Sequence, residues 1–83
     1  MTEQEKYLEG HRNCGIKVGD QVRVTRKAEP WKAGWDNWWG EGMDKFVGET
    51  VIVLVDWENY GFRCIQPEGN EVFVFPYFVL EKI

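Results

Sequence analysis

Thr50-Val-Ile-Val-Leu-Val-Asp-Trp57 is rich in β-branched residues and apolar at consecutive positions. Alternation of polar and apolar residues marks a strand with one wet face, whereas an unbroken apolar run marks one covered on both faces. The segment is therefore expected to be a central strand. Glu58-Asn-Tyr-Gly61 follows as a hairpin turn, because Asn and Gly accept positive φ. Phe62-Arg-Cys-Ile-Gln66 reads as the return strand, Pro67-Glu-Gly-Asn70 as a second turn, and Glu71-Val-Phe-Val-Phe75 as the third strand of a meander. Pro76 has no N–H to give a ladder. Pro76-Tyr-Phe-Val79 is thus expected as a short 3₁₀ turn, with Val79–Ile83 as a short last strand.

Upstream, Gly19-Asp20 is a turn dipeptide that leads into Gln21-Val-Arg-Val-Thr-Arg26. There Val22 and Val24 point one way while Gln21, Arg23 and Thr25 point the other, the alternation of a half-buried strand. Between this strand and Thr50 lies a long stretch, 28–48, with four of the five tryptophans (31, 35, 38 and 39), four glycines and one proline. A connection of roughly twenty residues usually has structure of its own or a function. Trp35, Trp38 and Trp39 stand at i, i+3 and i+4, so one helical turn would gather them on a side. Asp36 and Asn37 could equally make turns through their side chains. Met43, Phe46 and Val47 are expected to anchor the end of the stretch to the core, and Trp35, Trp39, Met43 and Phe46 to form a lid over the second face of the 50–57 strand. That role leaves Trp31 and Trp38 unexplained.

Residues 1–15 are mostly polar, with Tyr7 and Leu8 the one large apolar pair. They are expected as a loosely ordered tail or a helical turn or two, and residues 16–83 as the folded domain. Eighty-three residues make one small domain. In so small a chain each large apolar side chain carries much of the stability.

The formal charge is −4, and it is uneven. Residues 1–45 carry eight basic and eight acidic side chains, residues 46–83 two and six. An acidic surface disfavours phosphate backbones, although Arg23, Arg26, Lys27 and Lys32 could make a local basic strip. No serine occurs, so serine triads and the common phosphate-loop motif are excluded. His11, Cys14 and Cys64 lack the paired spacing of a metal site. Carboxylates such as Glu41 with Asp44, or Glu68 with Glu71, read as solvated turn residues. Neither metal nor cofactor is expected, and no enzyme. Two cysteines are too few for a disulfide framework. The polar start and the short apolar runs lead to the expectation of a cytoplasmic chain with reduced thiols and no membrane span.

The order of strand, long loop, three-stranded meander, Pro-containing turn and short last strand resembles the SH3-like barrel. Pro76-Tyr-Phe-Val79 resembles the proline–aromatic–valine segment of the 3₁₀ turn in that fold, and the Trp-rich stretch corresponds to its RT loop. Val18-Gly-Asp-Gln-Val-Arg-Val24 and Gly34-Trp-Asp-Asn-Trp-Trp39, with Gly42-Met-Asp-Lys-Phe-Val-Gly48, are similar to MIB/HERC2-type domains and to small stand-alone SH3-like proteins of phages and bacteria. The resemblance covers residues 16–83. It implies an all-β, five-stranded SH3-like barrel that binds a partner protein or peptide without catalysis, in a phage setting a host protein. It also implies a ligand groove between the long loop, the hairpin turn and the 3₁₀ turn. Trp31, Trp38, Trp57, Tyr60, Tyr77 and Phe78 are the expected lining, with Asp36, Glu41, Asp44 and Glu58 as an acidic rim, a groove suited to a basic or proline-containing peptide. The chain lacks the ALYDY-type motif of signalling SH3 domains. A homo-oligomer or accessory subunit, and nucleic-acid binding through the basic strip, are the competing readings.

Overall fold

The computed structural model of the chain describes residues 2–69 and 71–83. Five strands form one antiparallel sheet: β1 (Gln21–Val24), β2 (Thr50–Asp56), β3 (Phe62–Ile65), β4 (Val72–Phe75) and β5 (Leu80–Lys82). Their order is β4-β3-β2-β1-β5. Three 3₁₀ helices occupy connections: η1 (Glu41–Phe46) in the Trp-rich stretch, η2 (Glu58–Tyr60) in the hairpin turn and η3 (Tyr77–Val79) after Pro76. The meander and the Pro-containing turn thus stand where the sequence places them. The expected turn at 67–70 runs into Asn70, which lies outside the described residues, as does Met1 at the head of the expected tail.

The expectation of an all-β closed barrel holds only in part. A helix, α1 (Glu3–Asn13), precedes the sheet. The sheet is also open: β4 and β5 are its edges and do not pair with each other. Each pairs with one neighbour alone, β4 with β3 and β5 with β1, and Pro76 and η3 connect them.

One face of the sheet builds the core. Val22 stands opposite Val51, Val53 opposite Cys64, and Phe62 opposite Phe75, all of them buried. The expected lid closes on this face, not on the second face of β2. The Phe46 ring meets Phe73 and Phe75 at 5.2 and 6.0 Å between centroids, and Trp39 meets Phe75 at 5.6 Å. On the other face Ile52 is paired with Ile65, and Ile65 with Val72, so the three half-buried side chains shield one another across strands. Leu54, at the bulge between Val53 and Val55, stays exposed. The apolar run of β2 therefore has two separate causes, a core and a cross-strand row.

The N-terminal segment is not a loose tail. Thr2 caps α1: the Glu5 N–H donates to Thr2 Oγ1 (3.1 Å), and the Thr2 N–H donates back to Glu5 Oε1 (3.3 Å). Glu3 and Glu5 sit in the first turn, His11 and Arg12 in the last, as the helix dipole favours. Tyr7 and His11, one turn apart, are both buried. No helix among the described residues is long and apolar enough to cross a membrane.

Candidate functional site

The long loop is tied to η2 by one buried ring and two amides. Trp35, 1% exposed, donates its indole N–H to the Tyr60 carbonyl at 2.8 Å. Asn37 Nδ2 donates to the same carbonyl (3.2 Å), and the Asp36 N–H donates to the Asn59 carbonyl (2.9 Å). Asn37 also accepts twice. Its backbone carbonyl takes the Trp31 N–H (3.0 Å) and its side-chain oxygen the Trp38 N–H (2.8 Å). In η2 the Tyr60 N–H donates to the Trp57 carbonyl (3.0 Å). Asn37 and η2 thereby tie together the backbones of four aromatic residues whose side chains face outward. Trp31 is 64% exposed, Trp38 61%, Tyr60 50% and Trp57 42%.

Backbone strain concentrates at the same place. Trp31, Ala33 and Glu58 hold φ of 59°, 57° and 54°, a region that residues with a Cβ seldom enter. Such conformations persist where surrounding bonds over-determine them, and here the Asn37 and Tyr60 bonds do so. Arg63 lies over the Trp57 ring at 5.5 Å, and Trp38 lies over Gly40, where a Cβ would collide with it.

Tyr77 and Phe78 do not join this surface. The space between the long loop, η2 and η3 is filled by α1. Tyr7 packs on Tyr77 (5.0 Å) and Phe78 (6.2 Å), and its hydroxyl accepts the Tyr77 N–H (3.3 Å). His11 stacks on Phe62 at 4.1 Å and 13°, and its Nε2 lies 2.6 Å from Asp56 Oδ1. Gly10 lets the helix come this close, since a Cβ there would run into the Tyr77 hydroxyl. The groove expected to be open is thus occupied by the chain's own helix. The polar N terminus gave no apolar stripe to warn of this, because the buried face of α1 consists of Tyr7 and His11.

The acidic rim is likewise dispersed. Asp44 accepts the Trp39 indole N–H at 2.6 Å and pairs with Lys27 at 3.3 Å, so it serves the loop's own structure. Glu41 is exposed at the start of η1, and Glu58 is exposed in η2. Asp36 lines a notch of about 180 Å³ with Glu3, Trp31 and Trp35.

The Trp39 N–H, and then Lys27, hold the Asp44 carboxyl below its usual value. The Lys17 backbone N–H, and then Lys82, do the same for Asp20. A carboxylate with a depressed folded-state value stabilises the fold above its unfolded value, near pH 4, and loses that contribution as the pH falls through the folded value. Melting temperature is therefore expected to drop on acidification below about pH 4, and Asp44→Asn to flatten part of that drop. An unchanged acid limb in the variant would remove Asp44 from the account.

His11, Cys14 and Cys64 do not assemble into a reactive set. The His11 nitrogens face Asp56 and the Tyr7 hydroxyl, and Cys14 Sγ donates to the His11 carbonyl (2.9 Å). Burial pushes the Cys64 thiol up to about 12, so it stays protonated and a poor nucleophile. Among the described residues no three His, Cys, Asp or Glu side chains converge as metal ligands do. No family model, curated protein or solved structure matches this chain.

Reading the sequence residue by residue singles out neither Tyr7, His11, Asn37 nor Asp56 as organising residues. One signal for the first two was present: Thr2 followed three residues later by Glu5 is a capping box, and it places a helix over Tyr7 and His11.

Proposed function

We propose that the chain is a non-catalytic protein-interaction module of the SH3-like kind, which binds a partner through the surface organised by Asn37. The strand order, the long loop and η3 support the SH3-like reading. The observation that carries the function is that one hydrogen-bonded chain through Asn37 and Tyr60 links the backbones of Trp31, Trp38, Trp57 and Tyr60, all of them exposed. Single exposed apolar side chains need no explanation. Four large aromatics tied to one hydrogen-bonded unit resemble an interface hot spot, where Trp and Tyr are enriched. The notch of Trp31 with Asp36 and Glu3 suits a basic side chain, through the ring face and the carboxylates.

Trp31→Ala and Trp38→Ala are expected to abolish capture of the partner from a native lysate while shifting stability by no more than about 0.5 kcal/mol each. If both variants instead melt many degrees lower, the rings are structural and the surface is lost as a candidate. The same surface could join two copies of the chain. Light scattering at two concentrations separates that reading, since it predicts a mass increase that the double variant loses.

A further inference from the structure

Three cations of the basic strip converge. Arg26, Lys27 and Lys32 line one cleft of about 510 Å³, together with Tyr77 and Phe78 and a single acid, Glu29. The arrangement follows from how β1 ends. The Thr25 N–H and hydroxyl both donate to the Val79 carbonyl, at 2.7 and 2.9 Å, which fixes the strand's exit beside η3. The next residue, Arg26, then lies with its guanidinium 5.4 Å from the centre of the Phe78 ring. Among the described residues Arg26 has no carboxylate partner. Lys27 meets Asp44 at 3.3 Å and Lys32 meets Glu29 at 3.6 Å, with all four side chains well exposed. Exposed pairs of this kind contribute little, and a ligand's carboxylates can replace them. In a chain of net charge −4 the cleft is a local concentration of positive charge.

We propose that this cleft docks an acidic, extended segment of a partner protein. Its carboxylates would pair with Arg26, Lys27 and Lys32, and an apolar side chain would rest on the edge formed by Tyr77 and Phe78. Charge complementarity selects the acidic partner. The aromatic floor favours peptide over single-stranded nucleic acid, which needs bare ring faces on which bases stack. The Phe78 ring is already engaged by Arg26, by Tyr7 and by Tyr77. The proposal is separate from the Asn37 surface, on which it does not depend.

The test uses the full chain and a short labelled peptide of Glu and Asp around one Phe, read by fluorescence anisotropy. Binding is expected to weaken with salt, and to fall about tenfold or more in Arg26→Glu and in Lys32→Glu. Melting curves of both variants should match the parent; if Arg26→Glu fails to fold, Lys32→Glu on the exposed wall decides. A peptide with Lys in place of the acids should not bind, and Trp38→Ala should leave binding unchanged. Equal affinity in the charge-reversal variants overturns the proposal. So does tighter binding of an oligothymidylate than of the peptide. Loss of binding in Trp38→Ala would assign the probe to the Asn37 surface and overturn a separate cleft, whereas failure of the tryptophan variants to affect the native partner leaves this result standing.

Discussion

Replacing Trp35 with alanine is expected to destabilise the protein by about 3–5 kcal/mol, the range for truncating a large buried aromatic. A domain of this length has a total stability of roughly 4–12 kcal/mol. The substitution therefore removes a large share of it, and the melting temperature should fall by more than about 12 °C. Two losses add. The ring is 1% exposed, so its removal leaves a cavity in the core. Its N–H also anchors the Tyr60 carbonyl, which joins the loop to η2. Trp35→Phe keeps a ring in the site but loses the hydrogen bond and part of the buried volume, so it should cost less than Trp35→Ala, about 2–3 kcal/mol. Trp38→Ala, three residues further along the same loop but 61% exposed, should cost almost nothing. Denaturant unfolding of the three variants checks the order. Equal losses for Trp35→Ala and Trp38→Ala would mean that the loop is not held by the inner ring, and the rigid surface built on Asn37 would lose its support.

The contrast between these two tryptophans shows how far the sequence could be read. The spacing of Trp35 and Trp39, followed by Met43 and Phe46, marked them as inward-facing, and Trp35, Met43 and Phe46 are buried. Trp31 and Trp38 had no packing role to fill, and they face out. The strands were legible because β-branched runs and turn residues are local signals. What closes over what was not. The run Val51 to Val55 demanded cover for its second face, yet Ile52 finds it in Ile65 across the strand, a contact set by register. Asn37 read as a turn residue, and only the fold brings Tyr60 to its side chain. Asp44 read as a solvated acid, and its bond to Trp39 depends on how η1 turns. The open groove failed for the same reason. Nothing near Tyr77 in the chain announces that Tyr7, seventy positions away, will lie on it.

That contact gives the second large effect. Tyr7→Ala is expected to cost about 3–5 kcal/mol, as for any buried aromatic truncated in a core. The ring is 1% exposed and touches Tyr77, Phe78 and His11. Tyr7→Phe should cost about 1–3 kcal/mol, since the Tyr77 N–H then loses its acceptor in a partly buried place. The ring loss and the hydroxyl loss act on different neighbours, and hydrogen exchange can tell them apart. In Tyr7→Ala the amides of α1 should exchange far faster than in the parent, because the remaining anchors, His11 on Phe62 and Asp56 and Gly10 against Tyr77, all lie in the last turns of the helix. In Tyr7→Phe they should stay protected while the Tyr77 amide exchanges faster. Burying the helix against η2 and η3 makes it part of the domain, not an appendage. If α1 already exchanges freely in the parent and Tyr7→Ala changes stability by less than about 0.5 kcal/mol, that conclusion fails. The floor of Phe62, Tyr77 and Phe78 would then be an accessible aromatic surface, next to the one that Asn37 holds in place.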